Sequence, residues 1–430
     1  MGLRRIIPIS SGKGGVGKTT FAVNFAIALS RHARTVLIDL DTGTSSVRNT
    51  IGVPVERDLY HFFRKGFTLA ECITSLPDKL DRNGDYRSFG FVAGPRHLID
   101  EITNMRPQRR AELIQAINRL NATYIVLDLK AGFDENVLDF LPMSNTGILV
   151  LTPHLPSATL AASDMARAIL FRKLRIVFAP DSPFYETIGD NKLSKRRYAM
   201  LLNDMIDRVE DVYDDSISTL DDFVVSLHEA LGDHPTVERL ANTIQYFCIW
   251  IVLNQFNDVQ ESHQRVIEPF VTNTAKNLSA RVRVTNLGWI VKDDKIHAAN
   301  CSGRPALLAA PPSTPQRRLD PIQLRLAELR RQFLGLPTPP SAAKRQTRDF
   351  KKPKTELKAD LDSQLKTLET MFADHDKADF RQNFEYVVSR ARYVMHNRRV
   401  SEFGDIGILQ PEELLREMFK DVAVVPPHRG

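Results

Sequence analysis

Cysteine is nearly missing: Cys72, Cys248 and Cys301 are the three in 430 residues, and no two form a Cys-x-x-Cys pair. That spacing argues against a disulfide framework, a zinc site and an iron–sulfur cluster, and it fits a reducing cytoplasm. Long apolar runs are missing as well. No stretch approaches the ~18–20 residues that a membrane-spanning helix needs. The opening Met1-Gly2-Leu3-Arg4-Arg5 leads straight into an apolar segment, so no signal peptide is expected. Neither sign of charge dominates strongly. A net charge of +6 and a pI near 9.1 suit anionic surfaces such as DNA or lipid without selecting one. What is present is a globular composition, 43% hydrophobic and 26% charged, in a chain long enough for two or three domains. No internal repeat is visible.

The most informative segment is Gly12-Lys13-Gly14-Gly15-Val16-Gly17-Lys18-Thr19-Thr20, directly after the apolar Ile6-Ile7-Pro8-Ile9. Gly12, Gly17, Lys18 and Thr19 satisfy Gly-x-x-x-x-Gly-Lys-Thr, a phosphate-binding loop between a strand and a helix. Glycines let successive N–H groups turn inward around an anion, and the following helix points its positive end at the same place. Lys18 is expected to reach the β- and γ-phosphates, and the Thr19 hydroxyl to hold Mg²⁺.

Around this loop, strand-like and helix-like segments alternate. Strands are predicted at Ile6–Ser10, Thr35–Asp39, Phe89–Ala93, Tyr124–Asp128 and Gly147–Thr152, with helices at Thr19–Arg31 and Arg109–Leu120. The continuous apolar runs are those of a parallel sheet covered on both faces. The expected fold class is therefore α/β, a doubly wound and mostly parallel sheet, with the ligand at the carboxyl ends of the strands. Residues 171–246 turn helical, with predicted helices at Arg196–Tyr213, Leu220–Leu231 and Val237–Ile244 and a helix start at Ser218–Asp221. The sheet resumes at Phe247–Gln255 and Asn286–Val291. We expect a nucleotide-binding domain over residues 1–310 carrying this helical insertion. A Pro-rich basic linker with one helix follows over 311–354, then a helical C-terminal region over 355–430. Within the 342–358 stretch seven Lys/Arg face two acids, a solvated linker or a contact for DNA or lipid. Glu412–Val422 can form an amphipathic helix, either docked on its own domain or anchoring a membrane.

Carboxylates close the predicted strands. Asp39 ends Leu-Ile-Asp, and a carboxylate at the tip of a core strand demands a cation or an ordered water network. Asp128 ends Tyr-Ile-Val-Leu-Asp, where it is expected to serve Mg²⁺ through its waters and to meet Thr19.

The extra lysine, Lys13, narrows the class. Lys-Gly-Gly-x-Gly-Lys-Thr resembles the signature of the deviant Walker A proteins, the ParA/MinD family. The resemblance covers roughly Arg5–Leu170 and Phe247–Leu308. It implies that Lys13 reaches the nucleotide of a partner subunit, so that ATP closes a sandwich dimer. It also implies that Asp41 orients the water attacking the γ-phosphate and that Asp39 lies near Mg²⁺. Asn254, closing Trp-Ile-Val-Leu-Asn, sits where the family places an adenine contact, and Asp293 where it places an adenosine contact. After Asp128 the family's usual Asp-x-Pro-Ala-Gly reads Asp-Leu-Lys130-Ala-Gly132 here. The stretch from Asp128 to Pro153 looks most like the flagellar-number regulators of the FlhG/FleN type. Relatives with paired cysteines, of the nitrogenase iron protein and Mrp kinds, are disfavoured.

The function so implied is an ATPase switch: Mg²⁺-dependent, slow, partner-stimulated, converting ATP to ADP, and controlling the placement or number of a cellular assembly. Partners would be a second copy of the chain, a protein docking on the helical insertion or the C-terminal helices, and a DNA or membrane surface. That places the protein in the cytoplasm, with peripheral association at membrane, pole or nucleoid. The alternative from the same loop is a metabolic ligase of the dethiobiotin synthetase type that phosphorylates a small carboxylate.

Overall fold

The computed structural model describes residues 5–41, 46–97, 99–132, 137, 140, 147–178, 192–211, 213, 217, 219–279, 282–309 and 379–397. The 311–354 linker, the 355–430 region apart from 379–397, and with it the helix expected at 412–422, lie outside the described residues.

Within them the chain folds around an eight-stranded sheet of order β3-β4-β2-β5-β1-β6-β7-β8. The strands are β1 (Arg5–Ser10), β2 (Thr35–Leu40), β3 (Thr74–Ser75), β4 (Phe89–Val92), β5 (Tyr124–Leu129), β6 (Ile148–Leu151), β7 (Cys248–Phe256) and β8 (Arg283–Val291). Only β3 runs antiparallel; the other pairings are parallel. This is the doubly wound α/β class expected from the apolar runs. Every residue of β2 and β5 is buried, as strands covered on both faces require.

Two apolar layers sandwich the sheet. On one face pack α1 (Lys18–Ser30) and α2 (Ser46–Ile51). The other carries α3 (Leu59–Lys65), α4 (Pro107–Arg119) and α5 (Pro156–Val177). Three more helices fill the crossover from β6 to β7: α6 (Lys192–Glu210), α7 (Leu220–Leu231) and α8 (Pro235–Tyr246). They are the helical insertion read from the sequence. Leu202, Ile206, Leu220, Phe223, Leu227 and Leu240 from it are fully buried in the same core as α5, so the insertion is packed onto the domain. The cap of α7 is Thr219, whose Oγ1 accepts from the Asp222 N–H at 3.2 Å.

Beyond β8 come α9 (Asp294–Cys301) and, after the long undescribed segment, α10 (Phe380–Asn397). The latter lies on α1 and β8. Phe380, Phe384, Val387, Val388 and Ala391 are buried there, and Phe384 stacks on Phe21 with centroids 6.0 Å apart. Asn383 Oδ1 accepts from the Val291 N–H at 3.2 Å, Arg390 Nε donates to the Asn286 carbonyl at 2.9 Å, and Arg31 pairs with Glu385. The layer covering the sheet thus includes residues past 310. Apolar periodicity shows that a helix has a face to bury but does not name the surface that receives it.

Candidate nucleotide site

At the carboxyl ends of the strands, the loop after β1 turns into α1 through Gly17, whose φ of 82° is left-handed. Glycine tolerates that backbone, and it is needed twice over: a Cβ here would sit 2.3 Å from Asn254 Nδ2. Gly12 is required for another reason. A Cβ there would fall 2.4 Å from the Ala162 nitrogen and 2.6 Å from the Ala158 carbonyl, so the loop rests directly on the α5 backbone. Gly14 and Gly15 lie exposed at the tip, Gly15 with φ 88°, while Val16 is buried beneath them. The Gly132 N–H donates to the Ser11 carbonyl at 2.9 Å, joining the loop to the segment after β5.

Strand register assembles the charged centre. Asp39 and Asp128 are paired residues on β2 and β5, next to β1, and both are wholly buried. Lys18, also buried, reaches Asp128 Oδ1 at 2.6 Å and lies 3.7 Å from Asp41 Oδ2. The Asp39 carboxylate accepts from the Asp41 N–H at 3.2 Å and the Val47 N–H at 3.3 Å. Burial pushes the Asp39 carboxyl up to about 8, helped by repulsion from Asp128 and opposed by Lys18. Burial also raises Asp128, against the pull of Lys18 and the Thr19 hydroxyl. Asp128 Oδ2 is buried with no hydrogen-bond partner.

Two buried carboxylates, one with an orphaned oxygen, beside a threonine hydroxyl form a hard-oxygen setting suited to a divalent cation. These residues fit Mg²⁺: Thr19, Asp128 and Asp39 would hold it or its waters. When bound, the ion supplies charge neutralisation on phosphate oxygens. Lys18 now occupies the place of a counter-ion to Asp128, and a phosphate chain in the loop would compete for it.

The expected residues therefore divide. Lys18, Thr19, Asp39, Asp41 and Asp128 converge. Lys13 stands exposed at the loop tip. Thr20 Oγ1 accepts from Asn300 Nδ2 at 3.0 Å. Asn254 donates from Nδ2 to the Val16 carbonyl at 2.8 Å, so its amide holds the loop. Asp293 caps α9, accepting from the Lys295 N–H at 2.8 Å.

Several participants were not singled out from the sequence. Ser46 Oγ lies 3.1 Å from Thr19 Oγ1, and the Gly94 backbone hydrogen-bonds Asp39. Asn300 supports Thr20 as described. A hydroxyl just past the Asp-x-Asp loop was a usable signal for Ser46. For Gly94 the signal was a glycine closing a buried strand. Nothing local marked Asn300.

Over residues 7–403 the chain matches the model of the CobQ/CobB/MinD/ParA nucleotide binding domain. It belongs to that family. Among relatives of this MinD/ParA kind, the antiactivator FleN of Pseudomonas aeruginosa is 29% identical over 158 residues, 36% of this chain and 53% of that protein. The septum site-determining protein MinD of Helicobacter pylori is 28% identical over 171 residues, 39% of this chain and 59% of that protein. The chain thus spans little more than half the length of these curated relatives. The septum site-determining protein MinD of Pyrococcus horikoshii, solved with Mg-ADP, is 17% identical with a TM-score of 0.42, covering 78% of this chain and 98% of that one. No described helix is long and apolar enough to cross a membrane.

Proposed function

We propose that this protein is an ATP-driven dimerising switch that governs the placement or number of a cellular assembly. The observation that carries this reading is the contrast between two lysines of one loop. Lys18 is buried on Asp128, while Lys13 is exposed at the tip beside Gly14 and Gly15. A lysine exposed there is available to a nucleotide held by a second copy.

In this mechanism the loop N–H groups and Lys18 grip the phosphates. Thr19, Asp128 and Asp39 bind the cation side, and Asp41 holds the attacking water. The chemistry is positioning and charge neutralisation with no covalent intermediate on the protein. Hydrolysis to ADP would release the dimer, and the two states would show different surfaces to a protein partner. The insertion α6–α8 or the C-terminal helices would dock such a partner, and the basic linker or the C-terminal helix a DNA or membrane surface.

Light scattering on the Asp41→Ala variant tests this directly. With ATP and Mg²⁺ it should run as a dimer, and adding Lys13→Ala should return it to a monomer. A variant that stays monomeric at saturating ATP sinks the proposal. A ligase of the dethiobiotin synthetase type would instead reveal itself by many-fold faster ATP consumption on adding one small carboxylate.

A further inference from the structure

Asp39 takes hydrogen bonds from two elements that are far apart in the chain. The Val47 N–H, in the first turn of α2, donates to its Oδ2 at 3.3 Å. The Gly94 N–H, in the turn after β4, bonds the same carboxylate. Donors to a metal-binding carboxylate set its orientation, and with it the affinity for the ion.

Arg48, the residue after Val47, ties these two elements together. Its Nη2 donates to the Gly94 carbonyl at 3.1 Å and to Asp58 Oδ2 at 2.7 Å. Asp58 is the N-cap of α3, where its Oδ1 accepts from the Tyr60 N–H at 3.1 Å, so the anchor of Arg48 is itself fixed. Both side chains are largely withdrawn from solvent, and Arg48 Nε is buried with no hydrogen-bond partner. A solvated ion pair would avoid that cost. Three successive residues of α2 thus serve the cation site. Ser46 Oγ lies 3.1 Å from Thr19 Oγ1, Val47 holds Asp39, and Arg48 fixes both to the turn after β4.

We propose that Arg48 is a positioning residue of the cation site: by joining α2 to Gly94 and Asp58 it holds the two backbone donors that orient Asp39 for Mg²⁺. This rests on the nucleotide and Mg²⁺ reading of the site. Arg48 itself touches neither ligand; its effect passes through the backbone of Val47 and Gly94.

The test is the affinity of the full chain for ADP by calorimetry, once in excess EDTA and once with saturating Mg²⁺. The ratio of the two reports how much more tightly the site holds Mg²⁺ than free ADP does. Arg48→Met keeps the stem and deletes the donors. Pairing it with Asp58→Asn leaves no bare carboxylate, and asparagine caps a helix as aspartate does, so the double variant should fold. Both variants should keep the EDTA affinity and lose roughly tenfold in the ratio, the scale seen when a support of a metal ligand is removed. Arg48→Lys, which retains a cation with donors, should restore most of it. A double variant with the wild-type ratio overturns the inference, even if both affinities have dropped together, because a merely structural role would weaken them equally. A wild type that binds ADP no better with Mg²⁺ than in EDTA removes the cation reading itself, and this inference with it.

Discussion

Asp39 and Asp128 face one another as ladder partners on β2 and β5, both without exposed surface, with the Lys18 ammonium 2.6 Å from Asp128 as the nearby cation. Three consequences for the protein and its ligand follow from that arrangement of charge.

The first concerns pH. The Asp39 carboxyl is raised in the folded protein to about 8, from 3.8. A raised folded value means that the native state holds a proton which the unfolded chain gives up. The contribution is fully present below about pH 4 and is lost as pH climbs through about 8. Asp39→Asn should therefore flatten the fall in stability between pH 5 and 8, measured by urea denaturation across that range. A wild type whose Asp39-dependent stability increases over the window would contradict the assignment.

A second outcome concerns protons released on binding. A divalent cation arriving with nucleotide favours the charged carboxylates, so Mg²⁺-nucleotide should expel a proton near pH 7. Calorimetry in buffers of different ionisation enthalpy reads this as a buffer-dependent heat. The dependence should largely vanish in Asp39→Asn.

Removing the lysine should cost stability before any ligand is added. Lys18→Ala leaves buried Asp128 without its cation, and breaking a buried pair by deleting one member costs about 3 kcal/mol. Protonation of the carboxylates will recover part of that at low pH. Lys18→Met combined with Asp128→Asn should regain most of the loss without regaining nucleotide binding. If the single variant unfolds at the wild-type denaturant midpoint, the ion pair is not a structural element.

The C-terminal helix supplies a fourth prediction. Phe384 is buried on Phe21 in the first turns of α1, and truncating such a side chain costs about 3 kcal/mol. Phe384→Ala should lower Tm accordingly. A chain ending at residue 310 should lack a cooperative thermal transition, because α1 and β8 lose their cover. A well-folded 1–310 fragment would show that α10 is not needed to complete the fold.

Much of the site was legible in one dimension because phosphate binding demands a local conformation. Gly12 to Thr20 must curl and start a helix, and that need is written in nine consecutive residues. Asp39 and Asp128 were legible because a carboxylate ending an apolar run has no reason to be there without a partner. Asp293 also caps α9, a local role that the resemblance did not name. Ser46 and Gly94 carried local signals that were not singled out, whereas Asn300 was not legible, since it matters only through Thr20 far along the chain.

By itself, then, the sequence determined the alternating strands and helices, the anion-binding loop and the residue types at the strand tips. Those depend on short-range backbone preference and on burial period, which a linear pattern carries. Tertiary structure alone decided that Asp39 stands opposite Asp128, that Asn254 grips the Val16 carbonyl, and that a helix at 380–397 roofs α1. Strand order and helix docking are set by which apolar faces fit together once the chain has collapsed, and no local run of residues encodes that choice.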